Sequence, residues 1–254
     1  MPNMDVSLDE LIASNAKQAS KKPGRGGGGR GRGGGRGGRG ITKPGKRAVV
    51  VKKKAGGGGG GGRKRQGAEV KIGAMTDIKL AAGAVANMMR EGTPPKVLAI
   101  SPTCVNAAVK TLALARRYLE EEGLELMATV DFPEFDESAN SANVALHLSQ
   151  KRKRTDLSTV AAQLQVSSSS EPSKVAGAVA GTARECADQP VKRLCVSCAG
   201  PAAMLVSLQA VYLARRYLEE DGLDLSVVPE FENVERGPSI VHLFTLVHKP
   251  NAAL

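Results

Sequence analysis

The sequence predicts an α/β protein of the α+β kind: two tandem β-α-β-α-β-β domains behind a disordered Gly/Arg-rich N-terminal tail. Three observations predict it. Charge is split unevenly along the chain, the C-terminal three quarters repeats itself, and each repeat alternates between strand and helix patterning.

The formal net charge of the 254 residues is +11. Residues 1–67 hold 17 Lys/Arg against 3 Asp/Glu, a net +14, whereas residues 68–254 hold 19 against 22, a net −3. A basic tail on a mildly acidic body points to a polyanion partner, and nucleic acid is the default, because each neutralised phosphate releases a condensed counterion. A membrane surface ranks below nucleic acid as the partner, since residues 24–67 show no Trp, Phe or Leu face. No apolar run reaches about 18 residues, and MPNMDVSLDE is acidic and lacks a signal-peptide core, so an intracellular, soluble chain is expected. Four cysteines in this length do not make a disulfide scaffold.

The first segment, 1–20, reads as an amphipathic docking motif. Leu8, Leu11 and Ile12 fall at i, i+3 and i+4, Asp5 or Ser7 can cap the start, and Asp9 and Glu10 suit the positive end of the dipole. About three turns are marginal alone, so a partner groove or the chain's own body must supply the rest. M-D-V-S-L-D-E-L-I resembles the helicase-binding motif of the Aly/REF mRNA-export adaptors over about nine residues. That resemblance implies a DEAD-box RNA helicase as partner, with Leu8, Leu11 and Ile12 making the contact.

Residues 21–67 form the expected disordered tail. GRGGGGRGRGGGRGGRG, 24–40, holds five arginines and twelve glycines. Glycine loses the most backbone entropy on ordering, and nothing here is apolar enough to offset it. Arg25, Arg30, Arg32, Arg36 and Arg39 can each hydrogen-bond a phosphate through two donors and stack on a base. The segment is an RGG-type box, suited to sequence-tolerant RNA or single-stranded DNA binding. KPGKRAVVVKKK (43–54), RKR (63–65) and KRKR (151–154) add nuclear-localisation signals, phosphate contacts or merely solvated charge. Gly40 to Lys46 matches seven positions of a P-loop, but Arg47 stands where Ser or Thr should hold magnesium and no apolar strand precedes it, so the match is rejected.

The body is a duplication with a period of about 95 residues. AGAVA occurs at 82–86 and 176–180, LARRYLEE at 114–121 and 213–220, and FPEF at 132–135 answers VPEF at 228–231. The first copy spans 68–151, a linker 152–162, and the second copy 163–254. Each copy opens with a strand (69–74, 163–168) and a small-residue helix (77–91, 172–186). A second strand (96–101, 192–197) leads to a longer helix (103–121, 201–220) with Gly123 or Gly222 just beyond. Two further strands close the unit (124–135 with 143–150, and 223–231 with 239–248). The order predicts a mixed sheet with helices on one face. The other face needs cover, which the sister copy can supply as an internal pseudo-dimer; homo-oligomers are the alternative.

This unit resembles bacterial stage V sporulation protein S, a relative of the Alba-like nucleic-acid-binding fold. S-S-x-x-x-x-V-A-G-A-V-A-G at 169–181 is similar to that family's first helix, and V-N-A-A-V-K-T-L-A-L-A-R at 105–116 to its second. The resemblance implies non-catalytic binding of DNA or RNA, partly through loops around the helix starts, with Lys79, Asn106 and Lys110 as contacts. In the second copy Leu205 and Gln209 stand where Asn106 and Lys110 would be, and about three residues are inserted before that helix. That copy is expected to supply mainly an assembly surface. Arg116 and Arg117 are spaced to pair with Glu120 and Glu121 as surface ion pairs, and Tyr118 and Tyr217 read as packing residues.

No chemistry is expected. Cys195 and Cys198 form a lone CxxC without a second pair, and residues three apart on a strand point to opposite faces, so they read as core cysteines rather than metal ligands. His147, His242 and His248 lie in or near the fourth strands. No catalytic residue, metal or cofactor is assigned. The expected function is a nuclear RNA-binding adaptor, able to shuttle to the cytoplasm, that recruits a DEAD-box helicase. The alternatives are an Alba-type chromatin protein on DNA and a protein-interaction scaffold.

Overall fold

A computed structural model of the chain describes residues 50–52, 68–134, 143–152, 159–187, 192–232 and 239–250. A short strand comes first, β1 (Val50–Lys52). The first copy follows as β2 (Glu69–Ile72), α1 (Ile78–Arg90), β3 (Lys96–Ile100), α2 (Pro102–Glu120), β4 (Leu124–Asp131) and β5 (Asn143–Arg152). The second copy repeats it as β6 (Thr159–Val166), α3 (Pro172–Ala187), β7 (Lys192–Ala199), α4 (Pro201–Leu218), β8 (Asp224–Glu232) and β9 (Ile240–His248). Both copies are β-α-β-α-β-β, and all described strands join one sheet of order β1-β2-β3-β5-β4-β8-β9-β7-β6.

Local chemistry sets the boundaries. The Asp77 side chain accepts from the backbone N–H groups of Lys79 and Leu80 and so caps α1. Pro102 and Pro201 open α2 and α4, where a fixed φ suits the first turn and no N–H is missed. Gly123 and Gly222, at φ 69° and 66°, end those helices in a conformation that side-chain-bearing residues resist.

Pairing is parallel between β2 and β3 and between β6 and β7, and antiparallel elsewhere. Period-2 alternation puts Val70, Ile72, Val97, Ala99, Val144, Leu146, Ala128 and Val130 on one face, all buried. Leu194, Val196, Cys198, Val241, Leu243, Thr245, Leu225 and Val227 do the same in the second copy. The registers correct the sequence alignment of KVLAIS with KRLCVS. Ile72 lies opposite Ala99 and Val166 opposite Cys198, so the extra residues sit ahead of β7, between α3 and that strand.

The copies meet where β4 pairs with β8 at Ala128 and Val227, positions as far apart in sequence as Arg116 and Arg215. α2 packs on α4, α2 also on β8, and α4 also on β4. Twelve of the nineteen residues of α2 are buried, too many for one stripe, because its own sheet takes one side and the sister copy the other. Tyr212, Arg215, Arg216 and Glu219 of α4 line a cleft of about 430 Å³ together with Thr129, Asp131 and His147 of the first copy, and the Tyr212 ring packs 5.3 Å from that of Phe132.

Arg116 is not the surface residue its spacing suggested. It is 8% exposed, its Nε donates to Glu125, and its NH2 lies 3.0 Å from Glu230 of the other copy. Its pKa is raised: burial alone would lower it, and Glu125 and then Glu230 outweigh that. Arg215 is the counterpart. It donates to both oxygens of Asp224 at 2.6 and 3.1 Å and crosses the junction to the Val130 carbonyl. Each copy thus lends an arginine that fastens its own third strand and the other copy's at once. Tyr217 also differs from expectation: its side chain is exposed, and its carbonyl accepts from Arg184 as that of Tyr118 does from Arg90.

Candidate nucleic-acid interface

Because β2 and β3 are parallel neighbours, the turns that follow them emerge side by side at one end of the sheet. The first turn, Gly73 to Asp77, is tied by Thr76, whose N–H donates to the Gly73 carbonyl at 3.1 Å and whose Oγ1 accepts from the Gly73 N–H at 2.8 Å. The second is Ser101 alone, at φ 86° and ψ 150°. Nearly only glycine adopts that region, and holding another residue there costs about 1–3 kcal/mol. Its hydroxyl accepts from the Cys104 N–H at 3.5 Å, capping α2. Two helix N-termini therefore open at the same end, and at each a side chain already accepts from first-turn N–H groups, Asp77 from Lys79 and Leu80 and Ser101 from Cys104.

Lys79 stands in the first turn of α1 and Asn106 in the second turn of α2, on these adjacent helix starts. Lys110 lies one turn further along α2 on the same stripe as Asn106. All three are half-buried, and Lys79 and Lys110 each already make polar or electrostatic contacts within the chain. The structure sets Lys79 and Asn106 near the starts of neighbouring helices and Lys110 one turn deeper. Arg25, Arg30, Arg32, Arg36 and Arg39 lie outside the described residues, as do Leu8, Leu11 and Ile12, the P-loop-like stretch and RKR.

Sequence reasoning missed the apolar rim of this end. Met75, Leu80 and Ile100 are 59%, 65% and 68% exposed, although residues of this size are usually buried. Their positions, before and within the first turn of α1 and at the last residue of β3, bracket both helix starts. It missed Ser101 too, although Gly200 at the equivalent position, φ 85°, was the available signal.

The second copy lacks most of this apparatus. Gly200 makes no side-chain cap, and Leu205 and Gln209 are 7% and 6% exposed. Ala199 and Lys174 stand in place of Ile100 and Leu80. The loop before α3 is instead a serine cluster, Ser167 with Ser169 and Ser170, closed on itself by hydroxyl contacts of 3.0 and 3.2 Å.

Cys195 and Cys198 both lie on β7, opposite Phe244 and Val241, so their side chains leave by opposite faces. Both are buried, and burial pushes both thiols up, away from the reactive thiolate. The His242 Nδ1 sits 2.9 Å from the Ser197 hydroxyl, a sheet-face contact. Burial, with Lys96 next in weight, lowers the pKa of His147 although Asp131 stands 3.6 Å away. Among the described residues no group of three His, Cys, Asp or Glu is placed to share a metal ion, and no helix is long and apolar enough to cross a membrane.

The family model for stage V sporulation protein S (SpoVS) matches residues 68–149 and again residues 162–239, together more than half of the chain.

Proposed function

This chain belongs to the stage V sporulation protein S family in both of its repeats, and on that premise we propose that it is a non-catalytic nucleic-acid-binding protein, an RNA-binding adaptor in mRNA processing or export. The observation that carries this reading is the charge split, +14 in residues 1–67 against −3 in the remainder. The tail arginines grip phosphate without regard to sequence. The tandem Alba-like domains orient the bound strand through the helix starts of the first copy, near Lys79 and Asn106. The Leu8, Leu11 and Ile12 stripe recruits a DEAD-box RNA helicase, and the protein works in the nucleus.

Two supports are independent. Dense arginine among glycines suits irregular single strands, which stack on guanidinium planes as well as pairing with them. Two helix starts lie side by side, which brings the positive ends of two helix dipoles to the same end of the sheet. The test is crosslinking of the protein to RNA in cells, set beside its occupancy on chromatin. RNA crosslinks spread along transcripts and lost on deletion of 21–67 support the adaptor. Chromatin occupancy without RNA crosslinks supports a DNA-coating protein instead. Changing Leu8, Leu11 and Ile12 together to Ala should abolish helicase capture and leave RNA crosslinks intact; capture that persists removes the helicase step.

A further inference from the structure

The sheet ends differently at its two edges. At the first copy, β2 is covered by β1, which pairs antiparallel with it from Val50 opposite Lys71 to Lys52 opposite Glu69. At the second copy the equivalent strand, β6, stands last in the order, and no described strand lies on its outer side. An uncovered edge presents a row of backbone donors and acceptors to any strand that fits.

The β6 edge also lacks the usual protection. TVAAQLQV carries no charged residue and no proline, whereas β2 carries Glu69 and Lys71. It is eight residues long, and its irregularity falls at one end, between Val160 and Ala162. Residues 162–166 are left regular. Ala162, Leu164 and Val166 lie on the face that carries Leu194, Val196 and Cys198, while Gln163 and Gln165 are exposed on the other.

We infer that the outer edge of β6 is a docking site for a second copy of this chain, the two β6 strands pairing antiparallel about a twofold axis. Two features of the molecule single out that occupant. The equivalent edge of the first copy already takes an antiparallel strand, and the chain already joins its own two halves edge to edge through β4 and β8. A twofold axis at Leu164 sets Ala162 opposite the second copy's Val166 and Gln163 opposite its Gln165, which keeps the apolar residues of both strands on one face. Among the described residues the opposite edge strand, β1, is only three residues long, so β6 is the longer of the two edges. A twofold pairing of β6 with β6 is isologous and closes on itself as a pair. Pairing brings two Arg/Gly tails onto one particle, which multiplies their hold on a single strand.

The test is sedimentation equilibrium of the full chain after nuclease treatment, in about 0.15 M salt, where tails of like charge do not associate. The expected mass rises with concentration from 26.4 kDa towards twice that value. Two double variants, Gln163→Lys with Gln165→Lys and Gln163→Glu with Gln165→Glu, put like charges opposite each other. Each should weaken the pair at least about tenfold, as directly opposed like charges destabilise strand pairing. An equimolar mixture of the two should restore it. A wild-type mass of 26.4 kDa at every concentration overturns the inference. So does a pair that either double variant leaves as strong as wild type, or a mixture that fails to recover.

Discussion

The two copies have one topology and different surfaces. The first keeps its helix starts polar, with Ser101, Asn106 and Lys110, rims them with exposed apolar side chains, and has its sheet edge covered. The second has Gly200 and the buried Leu205 and Gln209 at those positions, and no described strand covers its edge strand. The difference teaches that one topology carries two kinds of helix start. The long helix of the second copy buries apolar groups where that of the first has a strained backbone and half-exposed polar groups.

The comparison can be broken first at the junction. Removing Arg116 leaves Glu125 without its partner at a position 7% exposed, and Arg116→Ala should cost about 3–5 kcal/mol in urea unfolding. Arg215→Ala should cost less, about 1.5–3 kcal/mol, because its partner Asp224 is more accessible to water. Equal losses would mean that the two latches are not as different as their burial.

The helix starts give a reciprocal pair of smaller effects. Ser101→Gly should stabilise the chain by about 1 kcal/mol, since relief of the backbone outweighs a cap that glycine replaces at a cost of a few tenths. Gly200→Ser should destabilise it by about 1–3 kcal/mol, measured in the same unfolding experiment. If both changes are neutral, the positive φ carries no strain.

Smallest is the effect of making the first copy resemble the second. Asn106→Leu with Lys110→Gln should lower RNA affinity by about two- to fivefold and barely alter its salt dependence, since one cation contributes about one phosphate contact. Fluorescence anisotropy with single-stranded RNA reads both quantities. A loss of a hundredfold would move the main binding surface from the tail to the folded repeats.

Much of this fold is legible in the sequence because its signals are local. Period-2 strands, small-residue helices and glycines past helix ends give the order of elements, and LARRYLEE and AGAVA expose the repeat. What is not legible depends on distant partners. The i, i+4 spacing of Arg116 and Glu120 looks like a solvated helix face, and only β8, over a hundred residues away, shows that Arg116 is buried. The all-round apolar character of VNAAVKTLALA was the available clue. Val50–Lys52 reads as part of a basic cluster because three residues carry too little pattern to betray a strand. The candidate contacts came from family resemblance, and that route says which helix turn to inspect without saying that Lys79 and Lys110 are already engaged. It also cannot find Met75, Leu80 and Ile100, since exposure belongs to the packed molecule.

The central claim is that the tail arginines, rather than a pocket in the repeats, hold the nucleic acid. Its most direct test is the salt dependence of RNA affinity for the full chain with Arg25, Arg30, Arg32, Arg36 and Arg39 all changed to Gln. The slope of log K against log salt should become shallower by up to about 3.5, roughly 0.7 per lost contact with a single strand, and affinity at physiological salt should fall by orders of magnitude. An unchanged slope and an unchanged affinity would contradict the account.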